Sequence, residues 1–331
     1  MTDLPIPVLY IGGYGRSGTT LIERVLGQLP GLCAVGEMRH VWERSFRDNQ
    51  LCGCGQPFRV CEFWSAVVRR AFGGFDRLDA GHMVDQARRV DRTRYVPRLL
   101  APGGAFAHRF ADHAAVVRRL YGAIREVSGC RVIVDSSKEP SYGWLLQRAG
   151  GFEVSVVHVV RDSRAVAFSW VRKKERPEVH WRRELMDVHA PLKSAALWLT
   201  FNALCRAMAR LGCAYRRVHY EDFVVDPVAA LTPVLAMIGE SPAALDWVDG
   251  RRLHLAANHT VSGNPMRFAV GDVEVQLDRE WRDRMRPADR RLMTALTFPS
   301  LLRYGYLGGR RDLGAARPAP SIGALRRDGG R

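Results

Sequence analysis

Residues 8 to 24 read Val8-Leu-Tyr-Ile-Gly-Gly-Tyr-Gly-Arg-Ser-Gly-Thr-Thr-Leu-Ile-Glu-Arg24. The apolar run Val8 to Ile11 predicts a buried strand, and Gly12, Gly13, Gly15 and Gly18 predict a flexible turn. From Thr19 a helix is expected, with Leu21, Ile22, Val25, Leu26 and Leu29 on one face. Strand, glycine turn and helix together form an anion cradle. Glycines let successive backbone N–H groups converge, and the helix N-terminus adds about half a positive charge. A triphosphate-binding loop of this spacing carries Lys and then Ser or Thr after its second glycine. Here Gly18 is followed by Thr19 and Thr20, and the strong cation, Arg16, comes before it. The loop therefore suits a phosphate-like group without a γ-phosphate and without a metal. A plainer reading of the same residues is a glycine turn with Arg16 in solvent.

A chain of 331 residues can bury one large core or two small ones. Its 47% hydrophobic and 25% charged residues place it among ordinary globular proteins. The balance of 50 Lys+Arg against 34 Asp+Glu, a net +16, favours anionic ligands, nucleic acid or membrane surfaces. Arginine pairs such as Arg69-Arg70, Arg88-Arg89, Arg118-Arg119 and Arg290-Arg291 are scattered as on solvated helix faces. With no nucleic-acid module in the chain, no specific nucleic-acid partner is expected. Seven cysteines, an odd number, argue against a full disulfide framework. The first residues lack a basic leader, and no apolar run approaches the ~18 residues of a membrane span. A cytoplasmic location is the default expectation.

Further strand–helix junctions follow. Cys33 to Gly36 predicts a short strand with Glu37 just beyond it, and Arg131 to Asp135 a strand running into Ser136-Ser-Lys138-Glu-Pro140. Val154 to Val160 is apolar enough to be buried on both faces and leads into Arg161, with Ser169 about two turns into the next helix. Arg216 to Tyr220 is another strand, after a long helix from about Leu192 to Leu211. Strands alternating with helices predict an α/β fold, a central parallel sheet flanked by helices, with ligands at the strands' carboxyl ends. Residues 73 to 128 read as a helical insertion, 174 to 189 as a polar lid or acceptor loop, and 308 to 331 as a disordered basic tail. Cys52, Cys54 and Cys61 lie close together, but structural zinc usually takes four ligands. A packed glycine-rich turn, a reversible disulfide and a zinc site all stay open there, and no metal is expected.

Arg16-Ser-Gly-Thr-Thr-Leu21 resembles the 5′-phosphosulfate loop of the sulfotransferases that use 3′-phosphoadenosine 5′-phosphosulfate (PAPS). The form with arginine is similar to the Golgi carbohydrate, tyrosylprotein and bacterial branches. Arg161 to Trp170 resembles the same family's 3′-phosphate motif. The resemblance implies a P-loop-like three-layer domain over residues 1 to 307, with the 73–128 insertion on the acceptor side. It implies PAPS as co-substrate, a sulfuryl group moved to a hydroxyl or amine, and a small-molecule or carbohydrate acceptor. Arg16, Ser17, Gly18, Thr19 and Thr20 would hold the phosphosulfate, Arg161 and Ser169 the 3′-phosphate. Tyr220 would lie against adenine, and Arg267 would close the 3′-phosphate side from the late loop His259 to Phe268. Glu37 matches the glutamate that serves as general base in tyrosylprotein and some bacterial members; its alternative is a surface carboxylate paired with Arg39. Lys138 stands where cytosolic members have a catalytic histidine, and reads as an electrostatic or acceptor-binding group or as a plain surface lysine. Two rival classes are an NTPase-like kinase, opposed by the missing loop lysine, and a non-catalytic polyanion binder.

Overall fold

Consecutive side chains of strand β1 (Ile6–Gly12) point to opposite sides. Val8 and Tyr10 enter one hydrophobic core and Leu9 and Ile11 another, all four essentially without solvent contact. A strand buried in this way needs a layer of helices on each face. The computed structural model, which describes residues 4–308, supplies both. β1 is the middle strand of a parallel five-stranded sheet with β2 (Leu32–Gly36), β3 (Val132–Lys138), β4 (Phe152–Val160) and β5 (Ala214–His219), in the order β2-β3-β1-β4-β5. The predicted α/β class and all five predicted strands are present.

One face is covered by α1 (Thr19–Leu26), α9 (Tyr220–Val225) and α10 (Pro227–Met237), whose Ile22, Val25, Phe223, Leu231 and Leu235 meet Leu9, Ile11, Val157 and Val159. The other face is covered by α2 (Glu62–Phe72), α5 (Gly104–Ser128) and α6 (Pro140–Arg148), through Trp64, Tyr121, Ile124 and Leu145. Between α2 and α5 lie α3 (Ala80–Val90) and the short α4 (Val96–Leu100), so residues 73–128 are helical as expected. Helix α5 begins at Gly104, where Phe106 and Phe110 anchor its first turns.

Beyond β4, α7 (Ser163–Val171) and α8 (Pro191–Ala209) pack with α11 (Glu280–Arg284) and α12 (Pro287–Arg303). A small antiparallel sheet of β6 (Val248–Asp249), β7 (Arg252–Leu255) and β8 (Gly271–Glu274) was not legible from pattern. Its strands are two to four residues long, too short for an alternation to register. It clamps both ends of the late loop between β7 and β8. Among the described residues no helix is long and apolar enough to cross a membrane. The expected basic tail, apart from Gly308, lies outside the described residues.

Candidate active site

Every strand of the central sheet delivers one of the singled-out residues at its carboxyl end. β1 leads into the Arg16 loop, β2 into Glu37, β3 ends on Lys138, β4 is followed by Arg161 and β5 by Tyr220. Chain crossovers depart to opposite sides of β1, so a crevice opens at these tips. The cleft measures about 450 Å³, within the range of small-ligand sites. Arg16, Gly18, Thr19, Thr20, Glu37, Lys138, Arg161, Ser169 and Tyr220 all line it. Ser17 is buried beside them, and Arg267 is not on the wall.

The glycine loop is shaped by what lies against it. Gly18 has φ +85°, and a Cβ there would run into the ring of Tyr220. A Cβ on Gly15 would come within 2.8 Å of Trp170. Arg16 itself adopts φ +70° and stacks its guanidinium 4.9 Å from the Trp170 ring centroid, with Nη2 donating to Met186 Sδ at 3.3 Å. Its Nε and Nη1, and the Ser17 hydroxyl, are buried without a hydrogen-bond partner among the described residues. No side chain caps α1 and no acidic residue sits in its first turn. Buried donors without acceptors at a helix N-terminus are what a bound anion would satisfy. Arg16 is therefore half-buried and aimed into the cleft, not solvated.

Arg161 Nη1 donates to the Arg16 carbonyl at 3.0 Å, so the second cation is built onto the first loop. Its guanidinium lies 4.5 Å above the Tyr220 ring, and Nη2 pairs with Asp278 at 3.1 Å. The neighbouring carboxylate, Asp162, is taken by Arg164 at 2.6 Å and caps α7 through Arg164 N–H. Asp162 therefore does not claim Arg161. Trp198 Nε1 donates to the Arg161 carbonyl at 3.1 Å and holds the strand end in place.

Glu37 is nearly enclosed and makes an ion pair with Lys138, with Arg44 at 3.7 Å and His40 at 3.9 Å from its other oxygen. Burial opposes its ionisation, yet Lys138 and Arg44 hold the carboxyl below the usual range. His40 is driven well below its ordinary pKa by burial and the nearby Arg44, and stays neutral. The expected alternative partner, Arg39, instead binds Asp91 at 3.0 Å and Glu139 at 2.9 Å. Lys138 is buried, with φ +66° at a bulge where β3 takes three steps against two on β1. Such a bulge re-aims the terminal side chain, here toward Glu37.

Several residues that organise the site carry no sequence signal. Glu23, fully enclosed on α1, accepts from Gly36 N–H and from the Ser136 hydroxyl, each at 2.6 Å. It thus fixes the two strand ends just before Glu37 and Lys138, and burial lifts its own carboxyl to about 7. Arg24, the next residue, donates to the carbonyls of Arg267 at 2.7 Å and Ala269 at 3.0 Å. Arg267 lies beneath the late loop as a strut, donating to Thr260 O and Leu51 O at 2.6 Å each. That loop runs beside β2: Val261 bridges Gly36 and accepts from Glu37 N–H at 2.8 Å. Its Gly263 and Asn264 complete one wall. Lys174, Arg176, Met186 and His189 from the predicted lid segment form another. No residue of 73–128 lines the cleft; Asp91 is linked to it only through Arg39 and then Glu139, which is on the wall.

Fold and site together define an α/β protein with paired cationic groups at the carboxyl edge of a parallel sheet. A model of the sulfotransferase family matches residues 7–243, and the chain belongs to that family. Solved structures similar to it include the sulfotransferase domain of the Synechococcus PCC 7002 olefin synthase (20% identity, 89% of this chain and 95% of that one, TM-score 0.42). The sulfotransferase domain from the curacin biosynthetic pathway shares 15% identity over 88% of this chain and 97% of its own, with TM-score 0.45. A sulfotransferase from Alicyclobacillus acidocaldarius shares 16% identity over 91% and 95%, with TM-score 0.40. Comparison with curated proteins gives no significant match.

Proposed function

We propose that this sulfotransferase takes its sulfuryl group from PAPS and passes it to an acceptor hydroxyl, with Glu37 as general base. The supporting observation is the convergence of Arg16, Glu37, Lys138 and Arg161 with Ser169 in one cleft, beside buried loop donors that lack acceptors. In this reading the acceptor oxygen attacks sulfur in line with the bond to the 5′-phosphate. The S–O bond to that phosphate breaks, the acceptor proton moves to Glu37, and adenosine 3′,5′-bisphosphate leaves. Arg16 and the first N–H groups of α1 stabilise charge developing on the leaving phosphate and the sulfuryl oxygens. Lys138 keeps Glu37 ionised before the acceptor enters, then stands beside the reacting sulfur as a second cation. Arg161 exchanges Asp278 for the 3′-phosphate, joined by the Ser169 hydroxyl. Sugar, phenol, peptide, lipid and secondary-metabolite hydroxyls all fit this chemistry.

Calorimetry on the full chain tests the donor. Adenosine 3′,5′-bisphosphate should bind roughly ten- to a hundredfold more tightly than AMP, the weight of one charge-assisted contact set. Arg161→Ala should erase that preference while AMP affinity falls far less, even though losing the contacts to Arg16 and Asp278 also lowers the unfolding temperature. Equal affinities for the two nucleotides in the unmodified chain would dismiss PAPS as donor. Incubation with PAPS and an alcohol panel, read by mass spectrometry, then identifies the acceptor.

A further inference from the structure

The three cysteines of the 52–61 turn acquire a fourth neighbour from almost two hundred residues away. Cys52, Cys54 and Cys61 Sγ and His259 Nδ1 lie within 4.8 Å of one another. The separations are 3.7 Å for Cys52–Cys61, 3.7 Å for Cys54–Cys61, 3.3 Å for Cys61–His259 and 3.8 Å for Cys52–His259. A tetrahedral zinc ion with Zn–S of ~2.3 Å and Zn–N of ~2.0 Å sets S···S edges of about 3.8 Å and S···N edges of about 3.5 Å. These four of the six edges lie within about 0.3 Å of those lengths, and the other two are within 4.8 Å. They are far from the ~2.05 Å of a disulfide, and all seven cysteines are free thiols.

We propose that Cys52, Cys54, Cys61 and His259 bind a structural zinc ion, which ties the late loop to the turn beside the active cleft. All four coordination positions come from the chain, the pattern of a structural and not a catalytic site. Surrounding groups serve it as supporting contacts do in metal sites. Backbone N–H groups of Cys54 and Trp64 point at the sulfurs of Cys52 and Cys61. Trp64 Nε1 donates to the His259 carbonyl at 2.7 Å, and Phe63 stacks on the imidazole at 5.0 Å. Gly55 N–H closes the turn onto Cys52 O at 2.9 Å, and Gly53 N–H bonds Thr260 O at 2.9 Å. Two residues beyond His259, Val261 grips Gly36 and Glu37. The ion thereby anchors the backbone on which the carboxylate of Glu37 is set. It departs from the sequence expectation of no metal, which counted three ligands because the fourth is distant in the chain.

The test uses the full chain made without a polyhistidine tag and purified under reducing conditions. Elemental analysis should find about one zinc per chain. Cys61→Ser and His259→Ala should each lose most of it, and cobalt exchange should give the visible bands of a tetrahedral thiolate site. Stripping the metal with a mercurial and a chelator should lower the unfolding temperature of the unmodified chain by several degrees, which does not depend on either variant folding. A chain holding under about a tenth of an equivalent after growth in zinc, a Cys–Cys disulfide in its mass map, or zinc retained by both variants would overturn the site. Metal content is read with no nucleotide present, so this result and the donor assignment stand or fall separately.

Discussion

Replacing Glu23 by glutamine isolates one buried titration from the rest of the molecule. Glu23 touches no ligand, but its carboxylate joins the ends of β2 and β3 through Gly36 and Ser136. Burial raises its pKa from 4.5 to about 7. A carboxyl whose folded pKa lies above its unfolded one binds its proton more tightly in the native state. The stability this confers is complete below 4.5 and is lost as pH rises through 7. With those two values, linkage gives a loss of about 2 kcal/mol between about pH 5.5 and pH 8. Glutamine cannot titrate, yet its oxygen can accept from Gly36 N–H while its amide donates to Ser136. The stability difference between wild type and Glu23→Gln should therefore change by about 2 kcal/mol over that interval, in favour of the variant at alkaline pH. Urea unfolding at both pH values measures it. Asp135, raised to about 6, and Glu139, raised to about 7, titrate in both proteins and largely cancel in the difference. Parallel stability curves for the two proteins would refute the buried-proton argument. Glu23→Ala, which strands both donors, should lower turnover without contacting substrate.

Glu37→Gln should cut turnover on the order of a hundredfold while nucleotide affinity stays within about twofold, measured by steady-state kinetics and calorimetry; full turnover in the variant would dismiss Glu37 as base. Because Lys138 and Arg44 hold Glu37 below the usual carboxylate range, the acid limb of the rate profile should fall below that range as well. Gly18→Ala places a methyl against the Tyr220 ring at φ +85°, a left-handed geometry that alone costs about 1–2 kcal/mol. Nucleotide binding should weaken about tenfold or more in calorimetry. Asp278→Asn removes the carboxylate that competes for Arg161, and adenosine bisphosphate should bind about two- to fivefold more tightly.

Sequence alone determined the parts governed by near neighbours. The unbroken apolar run Val8 to Ile11, the glycines after it, and Arg161 eight residues before Ser169 are short-range patterns, and they announced strand, loop and helix in order. Nine of the eleven singled-out site residues line a common cleft, because residues at strand ends must converge where parallel strands end together. What lay beyond reach depends on groups joined only by folding. No motif or spacing singles out Glu23, yet burial and two hydrogen bonds make it the brace behind Glu37 and Lys138. Arg267 was expected in the nucleotide pocket, but carbonyls of Thr260 and Leu51 draw it underneath the loop. Asp278 meets Arg161, and His259 completes the cysteine cluster, across more than a hundred residues in each case. Periodicity and turn chemistry act over a few bonds, whereas desolvation and charge pairing are set by whichever groups the packed chain encloses together.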